Sequence, residues 1–549
     1  MTDQFVHRTT GEAIVDGLLA HGVDTVFGIP GVQTYALYDA LARVGDRIRV
    51  LGARHEQGAA YMAFGYAQAT GRPGVFTVVP GPGVLNAGAA MLSAYGASAP
   101  LVCLTSEIPT AYMGRGLGHL HEMPDQLATL RTFTKWAANI EHPAHAAALV
   151  ADAFHHATTG RPRPVALAAP WDVLGRSAPC PPCAPRPADA TPLDGALVAR
   201  ATEMLAGAVN PMIMVGSGAR GAVAEVRALA AALQAPVVSF RGGRGIVSDR
   251  DAHGFTLAEG FERWRRSDVV VGIGTRMELA WFRWPGRPEG QRTILIDIDP
   301  AQLVRLAPAV GIVGDAAAVT GAIVGELGSA QAKPMASRAD ELGEIKRRAQ
   351  ADVATLQPHA DYLRAIRDVL PDDGFFVEEV SQIGFASYFA LPIYEPRTFV
   401  TCGHQGTLGF GFPTALGVKA ACPDRAVVSI AGDGGFLFGV QELATAVQER
   451  LGVVTIVFDN GAYGNVMNDQ RRLFDGRVIG SELRNPDFVA LARAFGAHGE
   501  QASNPDELRR ALDGALTRDE PSVIAVPMPL DAASSPWRFL MPQLSRDDR

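Results

Sequence analysis

The strongest constraint in this sequence is a set of short runs that are apolar throughout rather than at every second position. PMIMV, DVVVGIG, TILIDID, AVVSIAG and VVTIVFD all have this form. A strand with one wet face alternates with a period of two, so continuous Val, Ile and Leu mean that both sheet faces are covered, as in parallel sheets flanked by helices. The first third of the chain keeps the same rhythm. Runs 24–28, 47–53, 75–79, 101–106 and 164–168 end near Gly, Pro or polar residues, with helical patterns such as 12–20 and 57–70 between them. GFFVEEV and PSVIAVP extend it into the last third. The expected fold class is α/β, with parallel-sheet domains.

A chain of 549 residues has room for three or four domains. Two breaks divide it into three. Segment 177–192, SAPCPPCAPRPADATP, is too proline-rich for a packed element and reads as a linker. Segment 327–358 leads through GSAQAKPMASRADE into a charged helix, EIKRRAQADVATL. The expected domains are therefore 1–176, 192–328 and 358–535. The outer two carry a weak repeat: Phe64-Gly65-Tyr66, the strand VFTVV and Gly81-Pro82-Gly83 in one, and Phe410-Gly411-Phe412, the strand AVVSIAG and Gly432-Asp433-Gly434 in the other.

Several function classes drop out. A net charge of −8 without a basic run argues against a nucleic-acid binder. No apolar stretch reaches about 18 residues, which argues against a membrane span, and the polar N-terminus does not read as a signal peptide. Five cysteines, only Cys180 and Cys183 close together, suit a reducing cytoplasm and read as a linker pair rather than a zinc site.

The chemistry concentrates between Ala431 and Val466. The strand AVVSIA ends in Gly432-Asp433-Gly434-Gly435, a helix containing Gln441-Glu442-Leu443 is expected to run to about Arg450, and a second strand ends at Asp459-Asn460. A right-handed crossover of this length sets two adjacent parallel strand ends side by side. A carboxylate, an amide oxygen and a nearby backbone carbonyl suit a hard octahedral ion such as Mg²⁺, with phosphate oxygens completing the shell. The glycines admit those phosphates to the backbone, and the helix start favours their charge.

These residues resemble the thiamine diphosphate (ThDP) family, in the group of acetolactate synthase, benzaldehyde lyase and the 2-oxo-acid decarboxylases. The resemblance spans essentially the whole chain and implies a pyrimidine-binding N-terminal domain, a Rossmann-like middle and a diphosphate-binding C-terminal domain. It puts Asp433, Asn460 and the carbonyl of Ala462 on Mg²⁺, with Asp459 replacing a usual asparagine at a non-ligand position. Gly432, Gly434, Gly435, Tyr463, Gly464 and Asn465 would surround the diphosphate, together with Ser381 and Gln382. Glu56, after a strand and at a helix start, resembles the activating glutamate that promotes the imino tautomer of the aminopyrimidine. Pro30 is expected near the cofactor ring, and Asn86 as a ring neighbour or a structural cap. Leu408, in Gly406-Thr407-Leu408-Gly409, would be the apolar wedge that bends ThDP, and His404-Gln405 before it would face substrate or simply be structural. Gln33 and His121 are the substrate-handling candidates; His119 and His55 compete for the second role. Thr134-Lys135-Trp136-Ala137 and 170–174 read as domain-packing segments.

The middle domain carries Gly216-Ser217-Gly218-Ala219-Arg220-Gly221, a GxGxxG after a strand, yet the acid that a dinucleotide site wants about 20 residues later is missing. An empty structural spacer is preferred over bound FAD. The expected activity is ThDP- and Mg²⁺-dependent decarboxylation and carboligation of 2-oxo acids. The alternatives are a simple decarboxylase or a 2-hydroxyketone lyase, and more remotely an FAD-dependent oxidase or a relic without catalysis. In the family, glutamate and metal motif come from different subunits, which implies a homodimer at minimum and a homotetramer built from two.

Overall fold

The computed structural model describes residues 5–330, 335–530 and 534–543. Residues 1–4, 331–334 and 531–533, which fall in the expected domains and second linker, lie outside the described residues. The continuous apolar runs form the buried strands of three six-stranded sheets, parallel throughout. In the N-terminal sheet the spatial order is Arg49–Gly52, Thr25–Gly28, Gly74–Val78, Leu101–Glu107, Val165–Pro170, Trp136–Asn139. In the C-terminal sheet it is Phe399–Val400, Phe375–Val377, Val427–Gly432, Val453–Asp459, Ser522–Pro527, His498–Gln501. Numbered within each domain, both read 2-1-3-4-6-5, so the outer domains share one topology. The middle sheet reads 3-2-1-4-5-6, the doubly wound dinucleotide-fold order.

The twin domains meet through equivalent helices, Glu56–Thr70 and Gly411–Ala421. A Cβ on Gly65 would come within 2.0 Å of the Thr414 carbonyl oxygen, and one on Gly417 within 1.9 Å of the Met62 carbonyl oxygen. Each glycine thus faces the residue three positions before the other, a local two-fold relation that only missing side chains permit. This corrects the register of the repeat: Phe64-Gly65 corresponds to Leu416-Gly417, not to Phe410-Gly411.

Other sequence expectations also change. Ser177–Cys180 is a strand, paired antiparallel with Val6–Thr9, so the linker starts after it. Cys180 and Cys183 are free thiols, and no cluster of three metal-ligating side chains occurs among the described residues. Trp136–Asn139 is the edge strand of the N-terminal sheet rather than a domain-packing segment, and Trp171 is exposed. The charged helix is Ala339–Val353, whose Leu342 and Ile345 join the core shared by the middle and C-terminal domains. No helix among the described residues is long and apolar enough to cross a membrane.

Candidate active site

In the C-terminal domain, the strand Val427–Gly432 ends at Asp433, which starts the short helix Asp433–Leu437. The helix expected to reach Arg450 is broken: a second helix, Glu442–Glu449, begins after four residues. The neighbouring parallel strand Val453–Asp459 brings Asn460 alongside. Asp433 Oδ2 and Asn460 Oδ1 converge on one point, each accepting the Ala462 N–H at 3.2 Å. Asp433 Oδ1 accepts from Gly434 N at 2.9 Å.

A residue that pattern reading missed completes this turn. Asn485 Nδ2 donates to Asp433 Oδ2 and to Asp459 Oδ1, both at 2.7 Å. It lies in a loop 25 residues beyond Asn460, and only the turn pair Asn485-Pro486 marks the place. Burial raises the pKa of Asp433, and the nearby Asp459 carboxylate adds to the rise. Two crowded carboxylates, one buried, with an amide oxygen beside them, form a donor set that fits a hard divalent cation.

The predicted diphosphate residues gather here as well. Gln382, Asn460, Gly464 and Asn465 line a cavity of about 540 Å³. Gln382 Nε2 donates to Asn465 Oδ1 at 2.7 Å, and Trp537 Nε1 donates to the same oxygen at 3.0 Å. Ser381 caps the helix Gln382–Ala390 through Gly384 N, and its Cβ lies beside Gly432. The Tyr463 ring covers Gly434, where a Cβ would approach within 2.4 Å.

Leu408 is half-buried on a loop fixed by Glu379, whose Oε1 accepts from Gly409 N at 3.2 Å and Oε2 from Gly411 N at 2.9 Å. Glu379 is wholly buried beside Glu378, which pushes its pKa up to about 8, burial being the larger cause. Gly435 lies against the Glu379 side chain. Sequence reasoning singled out the loop and missed its anchor.

The N-terminal domain presents a second group at equivalent strand ends. Glu56 opens the helix Glu56–Thr70 and its Oε2 accepts from Asn86 Nδ2 at 3.0 Å. Gln33 is fully buried: Nε2 donates to the Leu120 carbonyl at 2.8 Å, and Oε1 accepts from His121 Nδ1. His121 has φ of 67°, an uncommon backbone state for a residue with a Cβ, and the Gln33 contact ties its ring down. Pro30 is exposed on the turn leading to Gln33. Among the described residues, no hydrogen bond joins Glu56, Asn86, Gln33 or His121 to Asp433, Asn460 or Leu408.

His404 does not join either group. It lines a cavity of about 640 Å³ at the strand ends of the middle domain and meets Arg276 there, while Gln405 packs on Gly96. Gly216, Gly218, Arg220, Arg241 and Asp297 also line this cavity, so the GxGxxG turn borders open space.

Twin cofactor-type domains with glycine-rich strand ends, separated by a Rossmann-like third, define a three-domain α/β enzyme class. Comparison with known proteins makes the class specific. Residues 8–129 match the thiamine pyrophosphate enzyme N-terminal TPP binding domain, 198–323 the central domain and 379–526 the C-terminal TPP binding domain. The chain is 37% identical to a probable 2-ketoarginine decarboxylase of Pseudomonas aeruginosa over 516 residues, covering 92% of this chain and 91% of that protein. It is 32% identical to the acetolactate synthase isozyme 3 large subunit of Escherichia coli, covering 92% of each. Sulfoacetaldehyde acetyltransferase of Castellaniella defragrans is 30% identical, with 97% of this chain and 96% of that one covered. The chain belongs to the thiamine pyrophosphate enzyme family and is a ThDP-dependent enzyme of acetolactate synthase-like type.

Proposed function

We propose that the protein decarboxylates a 2-oxo acid with ThDP and Mg²⁺ and joins the remaining fragment to a second carbonyl compound, as acetolactate synthase-like enzymes do. The observation that carries this reading is the convergence of the Asp433 and Asn460 oxygens at two adjacent strand ends, with the Glu56–Asn86 pair at strand ends of the twin domain. When bound, ThDP would supply a nucleophilic carbon and an electron sink for decarboxylation of the 2-oxo acid. Asp433, Asn460 and the Ala462 carbonyl would hold Mg²⁺, and Ser381, Gln382 and residues 432–435 and 463–465 would enclose the diphosphate. Glu56, held by Asn86, would be the carboxyl group that meets the aminopyrimidine. Leu408 would be the apolar side chain that shapes the bound cofactor. Gln33 holds the His121 ring through Nδ1, and the pair would handle substrate.

In this reading the glutamate and the metal turn come from different subunits, giving a homodimer and, from two of these, a homotetramer. Exposed Leu85 and Leu92 on the Asn86 helix, and exposed Phe438 and Val466 near the metal turn, suit burial in such a contact. Free, mostly buried cysteines fit a cytoplasmic enzyme.

A second reading, decarboxylation ending in proton transfer, is favoured by the His121–Gln33 hydrogen bond and by the relative named as a 2-ketoarginine decarboxylase. Supplying pyruvate, 2-ketoarginine and other 2-oxo acids and identifying the carbon products separates the two. Acetolactate supports the first reading; aldehyde alone overturns it in favour of the second. The absorbance spectrum of the purified protein tests the middle domain in the same preparation: a flavin band would replace the spacer with an FAD site.

A further inference from the structure

The break in the helix after the metal turn leaves Glu442 as the first residue of Glu442–Glu449, fully buried and pointing out of its own domain. Its carboxylate crosses to the N-terminal domain. Oε1 accepts from Arg54 N at 3.1 Å and His55 N at 3.0 Å; Oε2 accepts from Arg54 N at 3.1 Å and Thr445 Oγ1 at 2.7 Å. Arg54 and His55 are the two residues before Glu56. Space for the carboxylate comes from Gly58, where a Cβ would lie 2.3 Å from Oε1. Flanking contacts run in the same direction: Arg54 Nη2 to Gln448 Oε1 at 2.6 Å, and Arg49 to Glu449 at 3.3 Å.

A helix start exposes unsatisfied N–H groups and the positive end of the helix dipole, so a carboxylate placed there is held by charge as well as by hydrogen bonds. His55 caps the helix locally through Gln57 N. The Glu442 carboxylate adds a rigid reference from another domain, one residue away from the side chain that meets Asn86.

We propose that Glu442 is a positioning residue for Glu56: by fixing the Arg54–His55 backbone, it sets where the Glu56 carboxyl sits, without touching the cofactor. This rests on the reading of Glu56 as the activating carboxyl. A carboxyl displaced by about 1 Å loses on the order of a hundredfold in rate, so release of the anchor appears in the proton-transfer step.

The test measures hydrogen–deuterium exchange at the thiazolium C2 of bound ThDP by quench and NMR, together with ThDP affinity, in holoenzyme prepared with Mg²⁺. Glu442→Ala removes the carboxylate, Gly58→Ala pushes it aside while keeping it, and Glu56→Gln serves as reference. Exchange slowed about tenfold to a hundredfold in Glu442→Ala and Gly58→Ala, with ThDP affinity held within about twofold, supports the proposal. Should Glu442→Ala fail to fold, Gly58→Ala decides alone. Normal exchange in Gly58→Ala beside slow exchange in Glu56→Gln overturns this inference and leaves the function standing. Slow exchange accompanied by lost ThDP affinity also overturns it, as the mark of a general docking role. Normal exchange in Glu56→Gln overturns the reading of Glu56 and this inference with it.

Discussion

The N-terminal and C-terminal domains have the same six-strand order but arm their strand ends differently. After the first strand, one domain places Gln33 and the other Gln382, the former holding a histidine and the latter an asparagine. After the second strand, one begins a helix at Glu56, whereas the other inserts the Leu408 loop before its helix. The third strand leads to Gly81-Pro82-Gly83 in one case and to Gly432-Asp433-Gly434 in the other, so one helix start is plain and the other carries a buried acid. A shared frame supplies geometry, and function follows from a few substitutions at fixed places on it.

That division of labour can be broken one half at a time. Glu56→Gln should leave cofactor binding intact and lower turnover by about a hundredfold to ten-thousandfold, measured by steady-state kinetics at saturating ThDP. Near-normal turnover would remove the N-terminal half from catalysis. Asp433→Ala should act in the opposite sense and weaken Mg²⁺-dependent ThDP binding by about a hundredfold or more, read by calorimetry. Binding equal to wild type would discard the C-terminal metal turn. Asn485→Ala sharpens the same half: losing the amide that bridges Asp433 and Asp459 should cost about tenfold in Mg²⁺ affinity.

The smallest effect is on stability. Glu379 is neutral in the fold up to about pH 8, whereas an unfolded glutamate ionises near 4.5. A raised carboxyl pKa gives stability that is fully present below the unfolded value and is lost as pH rises through the folded one. Chemical denaturation of the wild type should therefore show stability falling between about pH 4.5 and about pH 8, and Glu379→Gln should flatten that slope. An unchanged slope in the variant would assign the dependence to other groups.

Much of this frame was legible from residues alone, because a central parallel strand must be apolar on both faces and Val427–Gly432 or Val269–Ile273 can hardly be anything else. Several edge strands escaped, although Arg49–Gly52 lies within the run 47–53. Trp136–Asn139, Phe399–Val400 and His498–Gln501 each lean on a single neighbour and need no apolar run. The matching Phe-Gly dipeptides misplaced the repeat, since the physically equivalent residues are those where two backbones touch. Asp433 and Asn460 were readable because each follows its strand directly. Asn485, Glu379 and Glu442 were not, for their roles arise from distant segments folding onto the site, and a lone buried acid leaves no periodic trace in the sequence.

The crossing at Gly65 and Gly417 has a practical consequence for building hybrids. Exchanging whole domains among relatives is an obvious route to new substrate ranges, with each half brought in from a different parent. At this crossing the halves are fitted backbone to backbone, so a chimaera inherits a working frame only when both parents carry glycine at these two positions.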